Sequence, residues 1–187
     1  MRKTKFKVKE LKPLELLEAC KPEEVWGHCA NCGNHASVWS CPPHDFDPCE
    51  FIKGFKFAYV LVGTVSLVQF NEQKKAVSHY YEERRRINRA LLAFEATLPD
   101  SVCLFAGHCD ACDECSRIQG AGCVRPDLCR YSLESLGLKV SDITSTHFNE
   151  SLKWSRGSVP EKLLVVPALL CRQKVNPAGL VQALEPR

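Results

Sequence analysis

Long apolar runs are missing from this sequence. The longest, residues 57–62 and 163–171, fall well short of the roughly 18 residues that a transmembrane helix needs, and Pro167 interrupts the second. Residues 1–10 alternate Lys and Arg with single apolar residues and lack the apolar stretch of a secretory signal peptide. We therefore expect a soluble, cytoplasmic protein that does not interact with a membrane.

Strong charge of one sign and familiar catalytic motifs are also lacking. The formal net charge is only +3, which does not indicate a nucleic-acid partner. The arginines at positions 84–86 would fan around a helix, and Glu82 and Glu83 offset their charge, so a solvated face is favoured over a phosphate-binding one. The sequence has no P-loop, nucleophile elbow or zinc-protease motif. It does not decide whether the protein is an enzyme.

Cysteine is the residue that the sequence has in excess. Twelve of the 187 residues are cysteine, a fraction below that of small disulfide scaffolds but too high for a cytosolic protein that only packs them. Because cytosolic thiols are kept reduced, we interpret these cysteines as metal ligands or catalytic groups rather than as disulfides.

The rest of the sequence predicts an α+β (or α/β) fold in a single metal-binding domain over residues 1–187. Aromatic and β-branched residues predict strands at 55–67 and 101–106. Apolar residues at intervals of three or four predict one long helix between them, capped by Asn71. This order indicates a β-α-β unit in a small mixed sheet. Shorter elements are expected as strands at 5–11 and 163–171, and as helices at 13–19, 132–136 and 142–148.

Two long segments, residues 20–50 and 107–130, have no sustained periodicity and hold most of the cysteines. Irregular loops of this length inside a compact domain need a physical cause. Bound metal is such a cause, because ligation replaces the hydrophobic burial that the loops lack. We call these segments cysteine loop 1 and cysteine loop 2.

Cysteine loop 2 has the pattern C-x2-C-x2-C-x7-C, formed by Cys109, Cys112, Cys115 and Cys123. Three thiolates at successive intervals of three can wrap one face of an iron–sulfur cubane, while a more distant cysteine supplies the fourth ligand. Zinc sites usually combine two separated pairs of ligands. The pattern therefore favours a [4Fe-4S] cluster over zinc in loop 2.

Cysteine loop 1 holds a second quartet: Cys29, Cys32, Cys41 and Cys49. Pro42 follows Cys41, and in two-cluster ferredoxins the cysteine of a C-P pair ligates the other cluster. Which cysteines share a site is therefore open. The C-x2-C pair with Cys41 and His44 would also suit a zinc knuckle, so iron–sulfur and zinc both remain possible in loop 1.

Four cysteines lie outside the quartets. Cys103 and Cys171 fall in apolar strands, where a free cysteine behaves as a small hydrophobe. Cys20 and Cys129 lie near the ends of the loops, and either could replace a member of a quartet. Among the histidines, His44 best suits an additional ligand role, although enough cysteines are present without it.

Three parts of the sequence resemble an uncharacterised prokaryotic family of predicted metal-binding proteins, a domain of unknown function. They are the Cys29–Cys49 segment with its W-S-C-P-P element, the cysteines of loop 2, and the S-L-E-S-L-G segment at residues 132–137. The resemblance runs from about Cys29 to Cys171 and implies that the eight quartet cysteines are the metal ligands. The sequence departs from the family at His35 and Ala36, where a tyrosine and a glycine are expected, which concerns the conformation of loop 1.

These observations predict a metal-binding protein with two [4Fe-4S] clusters that serve electron transfer, as a carrier or as the redox subunit of an enzyme, together with a redox partner protein. One alternative is a structural zinc protein that binds a partner. Another is an iron–sulfur enzyme in which one iron lacks a protein ligand and binds substrate.

Overall fold

The computed structural model describes residues 3–153 and 158–186. Its fold is the mixed α+β class that the sequence predicts. The described elements, in chain order, are β1 (Lys5–Leu11), α1 (Pro13–Leu17), α2 (Pro22–Cys29), α3 (Pro48–Lys53), β2 (Phe57–Ser66), α4 (Gln73–Glu95), β3 (Ser101–Leu104), a 3-10 turn (Ser116–Gln119), α5 (Val140–Phe148), β4 (Lys162–Val165), β5 (Ala168–Cys171) and α6 (Pro177–Leu184).

Strand β2 organises the five-stranded sheet. It pairs with β1, β4 and β5, and β3 joins the other edge of β5, all in antiparallel register. Strands β2 and β3 therefore run parallel to each other with β5 between them. The predicted order of strand, long helix and strand is present, but its two strands are not neighbours.

The predicted strand at 163–171 is two strands, and Pro167 is the reason. Proline has no amide hydrogen to donate to a ladder, so strand pairing is interrupted there. The carbonyl of Pro167 instead accepts a hydrogen bond from Leu61 N at 3.0 Å. Strands β4 and β5 therefore pair with different parts of β2: β4 with the C-terminal half of β2, and β5 with its N-terminal half.

The two faces of the sheet bury separate cores. Alternate residues of β2 point to opposite faces, as the period of a strand requires. Ala58 and Val60 belong to the core that includes residues of α1, α3 and α5. Tyr59 and Leu61 belong to the core that includes residues of α4 and α6. The sheet is thus the middle layer between two groups of helices.

Several predicted boundaries were wrong. Helix α4 has Glu72 rather than Asn71 at its N-cap. The predicted helix at 132–136 is a series of hydrogen-bonded turns, closed at Gly137 with φ 79°. Loop 1, predicted to be irregular, begins and ends with the short helices α2 and α3. Helix α6 was not predicted at all.

Candidate metal centre

The four predicted ligands of loop 2 converge. Cys109, Cys112, Cys115 and Cys123 line one small cavity of about 30 Å³. A fifth cysteine, Cys129, lines the same cavity, as does Trp39 of loop 1. Loop 2 therefore presents five sulfur atoms to one space. Sequence spacing did not single out Cys129, because only the fold returns the chain to the cavity after Cys123.

Cys129 is hydrogen-bonded to both Cys109 and Cys123. The hydrogen bond from Cys129 is the main cause that lowers the pKa of Cys109, and the backbone amides of Ala111 and Arg130 lower it further. The bond with Cys109 and burial together raise the pKa of Cys129. The arrangement therefore favours a thiolate at Cys109, which is the form that binds metal.

An ion pair fixes the end of loop 2. Arg130 donates from Nε to both carboxylate oxygens of Glu95, at 3.1 and 2.9 Å, and from Nη1 to the carbonyl of Cys129 at 2.8 Å. Glu95, at the end of α4, also accepts from the amide of Cys103. Burial alone would raise the pKa of Glu95, but the hydrogen bonds from Arg130 and Cys103 outweigh it and lower the pKa. The ion pair thus ties the position of Cys129 to α4 and β3.

Loop 1 brings three of its four predicted ligands together. Burial raises the pKa of Cys41 to about 11, and the neighbouring Cys32 and Cys29 add to the rise, while a hydrogen bond with Ser40 opposes it. Burial and the proximity of Cys32 also raise the pKa of Cys29. These three thiols therefore lie near enough to influence one another's pKa values.

The fourth member, Cys49, is paired with a cysteine from outside the quartet. Its Sγ lies 3.1 Å from Sγ of Cys20. Burial, followed by the hydrogen bond with Cys49, raises the pKa of Cys20 to about 12. The position of Cys49 is set by Asp47, the N-cap of α3, whose Oδ1 accepts from the Cys49 amide at 2.8 Å. Loop 1, like loop 2, thus contains a fifth cysteine next to its predicted quartet.

Arg117 of loop 2 holds the W-S-C-P-P element of loop 1. Its guanidinium donates to the carbonyls of Val38, Cys41 and Pro43 at 2.9, 2.6 and 2.7 Å. It also lies over the ring of Trp39, 5.0 Å from the centroid, in cation–π geometry. One side chain therefore fixes the backbone on both sides of Cys41.

Further hydrogen bonds join the two loops. The indole Nε1 of Trp39 donates to the carbonyl of Ala121 at 3.1 Å. The amide of Cys109 donates to Oγ of Ser40 at 2.9 Å, and Ser40 is fully buried. Together with Arg117, these contacts make loops 1 and 2 a single interlocked unit.

The ring of His44 is held by a hydrogen bond and by aromatic neighbours. Its Nε2 is hydrogen-bonded to the carbonyl of Ser135 at 2.8 Å, and its ring lies between Trp26, Phe46 and Tyr131. Burial lowers the pKa of His44, which keeps the imidazole neutral. This ring supports loop 1 against the 132–137 turn.

Ala36 occupies the left-handed region with φ 55°. That region favours glycine, because a Cβ atom there is strained. The glycine expected at this position thus has a conformational explanation. Elsewhere, Cys103 and Cys171 are buried in the sheet, as expected for cysteines that act as small hydrophobes.

The donor set of both loops is sulfur, which suits soft or borderline metals such as zinc and the iron of iron–sulfur clusters. Within residues 3–153 and 158–186, no group of three or more His, Cys, Asp or Glu side chains is arranged so that it could hold a metal ion. None of the helices in this part of the chain is long and apolar enough to cross a membrane.

Fold and site together define a mixed α+β protein with two interlocked cysteine loops. The model of the family described as predicted metal-binding protein (DUF2284) matches residues 16–170, and the chain belongs to this family. The matched range includes the eight predicted ligands as well as Cys20 and Cys129. Comparisons with curated proteins and with solved structures give no significant match.

Proposed function

We propose that the protein carries two [4Fe-4S] clusters, one in each cysteine loop, and passes electrons between them and a redox partner protein. The lining of one cavity in loop 2 by five cysteines carries this proposal. The triple spacing of Cys109, Cys112 and Cys115 suits a polynuclear iron–sulfur group.

The connection between the loops supports transfer from one centre to the other. Ser40 is bonded covalently to Cys41 and accepts a hydrogen bond from the amide of Cys109. This hydrogen bond therefore joins the side chain next to Cys41 to the backbone of a ligand in the other loop. Cys32 and Cys112 are exposed, so each loop also has an edge that a partner protein can approach.

The chain's own groups suit the charge of such centres. A [4Fe-4S] core held by four thiolates carries about −2, and when bound it supplies one-electron chemistry. Arg117 and Arg130 lie against loop 1 and at the end of loop 2, respectively, where their positive charge offsets that of the thiolates. Amides directed at the sulfur of Cys109 stabilise the thiolate further.

The test is anaerobic purification followed by iron, sulfide and zinc analysis and electron paramagnetic resonance. We expect a brown protein with iron and acid-labile sulfide in near-equal amounts, and a resonance signal on reduction. Cys112→Ser should lower iron and sulfide together, whereas the matched variant Cys171→Ala, in the sheet, should leave both unchanged. A colourless protein with stoichiometric zinc would refute the proposal.

Zinc in loop 1 is the second candidate, because Cys29 and Cys32 form a C-x2-C pair and both influence the pKa of Cys41. Metal analysis of the Cys32→Ser variant distinguishes a zinc ion in loop 1 from a second iron–sulfur cluster there. Loss of zinc with unchanged iron would assign a structural zinc ion to loop 1, and loss of iron and sulfide would assign the second cluster.

A further inference from the structure

A large cavity lies beside the cysteine loops and touches loop 2 only at Gly107. Its volume is about 510 Å³, in the range of pockets that bind small organic molecules. Helix α4 forms one wall, strand β4 another, and the 132–137 turn and α5 contribute a third. It is therefore a separate candidate site from the two cysteine loops.

A buried arginine faces this cavity with an unused donor. Arg84, on α4, lines the cavity and is only 6% exposed. Its Nη2 donates to Asp110 at 3.2 Å, but its Nε has no hydrogen-bond partner among the described residues. A buried donor without an acceptor is unfavourable, and the Arg84 side chain lines a cavity that an acceptor can enter.

The 132–137 turn contributes a second unpartnered polar atom to the cavity wall. Oε2 of Glu134 is buried and has no hydrogen-bond partner in the described part of the chain. Burial raises the pKa of Glu134, which favours the neutral carboxyl, and a neutral carboxyl can donate a hydrogen bond. Arg84 and Glu134 thus place two polar groups on different walls of one space.

Charge and shape limit the occupant. Among the described residues, Arg84 and the exposed Lys153 are the basic groups that line the cavity, and Asp110 pairs with Arg84 from outside the lining. With Glu134 neutral, these leave one net positive charge. The remaining lining is mostly apolar: Val77, Val140, Leu152, Leu163, Leu164 and Val166, with the rings of Tyr80 and Tyr81. The charge and the apolar lining of the cavity therefore suit a ligand with one negative charge and an apolar body.

We propose that this cavity binds a small organic carboxylate, whose charged end accepts hydrogen bonds from Arg84 and whose apolar body lies against the aliphatic wall. The planar fork of an arginine matches a carboxylate in geometry. The binding does not depend on the clusters proposed above.

The cavity is adjacent to loop 2. Asp110, which pairs with Arg84, directly follows Cys109. Gly107 has φ 74°, and a Cβ atom there would collide with Nη1 of Arg84. The guanidinium therefore packs against the backbone where the chain enters loop 2.

Isothermal titration of the purified full-length protein at neutral pH tests the proposal, with octanoate and 3-phenylpropionate as probes. Their uncharged primary amides are the matched controls. We expect saturable binding of at least one carboxylate, and an affinity for its amide that is lower by about ten-fold or more, because a charge-assisted hydrogen bond is lost. No saturable binding of either acid, or equal affinity for acid and amide, would overturn the proposal.

Two variants locate the binding. Arg84→Gln should weaken carboxylate binding by about ten-fold or more. Val77→Trp, which fills the cavity from helix α4 and leaves Arg84 in place, should abolish it, whereas Val68→Trp, at an exposed position outside the cavity, should not change it. If circular dichroism shows that Arg84→Gln is unfolded, Val77→Trp decides. Unchanged binding in Val77→Trp would place the ligand elsewhere and refute the assignment. Iron content does not enter these measurements, so they remain separate from the test of the clusters.

Discussion

The amide of Cys109 in loop 2 donates to the hydroxyl of Ser40 in loop 1, across 2.9 Å. Ser40 is fully buried and directly precedes Cys41, a predicted ligand of the other loop. A residue adjacent to one candidate ligand thus orients the backbone of another, although 69 positions separate them in the sequence.

Ser40→Ala should destabilise the protein, because it leaves the Cys109 amide without its acceptor in a buried site. We expect a loss of about 1–3 kcal/mol in the free energy of unfolding, measured in urea. Ser37→Ala is the matched control in the same loop, since the hydroxyl of Ser37 bonds only to the nearby His35 carbonyl. Equal effects of the two changes would contradict the role given to Ser40.

Arg117→Lys should loosen loop 1 while keeping the charge. A lysine lacks the planar fork that reaches three carbonyls and stacks on Trp39. We expect faster hydrogen exchange at residues 36–41 and a stability loss of about 2 kcal/mol. Arg125→Lys, at an exposed ion pair of 3.8 Å, should leave exchange in loop 1 unchanged. Unchanged exchange in Arg117→Lys would show that the contacts do not constrain loop 1.

Cys129→Ala should raise the pKa of Cys109 in the metal-free protein, because the hydrogen bond from Cys129 is the main cause that lowers it. A raised pKa means less thiolate near neutral pH and slower alkylation of Cys109 by iodoacetamide, which peptide mass spectrometry resolves. Cys171→Ala, in the sheet, should leave the rate unchanged. Faster alkylation in Cys129→Ala would mean that Cys129 shields Cys109 rather than activating it.

Glu95→Gln should destabilise the protein near neutral pH by about 3 kcal/mol, because Arg130 is left without its carboxylate in a largely buried site. Because the pKa of Glu95 is lowered in the folded protein, the ion pair with Arg130 makes its full contribution to stability when the pH is above the ordinary glutamate pKa of about 4.3. This contribution is lost as the pH falls through the lowered pKa that Glu95 has in the folded protein.

Urea unfolding at several pH values measures this difference. The gap between the wild type and Glu95→Gln should be constant near neutral pH and should narrow at acid pH. A gap that stays the same down to the acid limit would contradict the assignment of the lowered pKa to Glu95.

Cys20 and Cys49 should form a disulfide when the metal-free protein is treated with diamide. Their Sγ atoms need to close from 3.1 Å to the roughly 2.05 Å of a disulfide, a short movement. The two thiols give up two electrons and two protons, which reduce the azo group of diamide to a hydrazine. Non-reducing peptide mapping should find this cross-link and none between the buried Cys103 and Cys171. A cross-link from Cys49 to Cys29, Cys32 or Cys41 instead would place it with the rest of its predicted quartet.

The strands and the long helix could be predicted because their patterns are local. Strand β1 has the predicted bounds, and the apolar period of α4 identifies most of its length. Helices α2, α3 and α6 each have a proline in the first turn, and α3 and α6 also have a side-chain N-cap, Asp47 and Asn176. These start signals were present in the sequence, but the turns that follow are too short to show a period.

The candidate site could be predicted only in part, because spacing reports which cysteines are close along the chain. Spacing identified the triple of Cys109, Cys112 and Cys115, and these three cysteines line one cavity in the structure. It gave Cys20 and Cys129 only as candidates to replace a member of a quartet, although Cys20 contacts Cys49 and Cys129 lines the loop 2 cavity. The carboxylate cavity had no sequence signal at all, since Arg84 and Glu134 meet through the packing of α4 against the 132–137 turn.

The position of Trp39 has an optical consequence. Its indole forms part of the wall of the loop 2 cavity and is held there by Ala121 and Arg117. Any chromophore that absorbs in the near ultraviolet and enters that cavity will quench the emission of this ring. Fluorescence of the unlabelled chain, compared with that of Trp39→Phe, therefore follows filling of the cavity in real time.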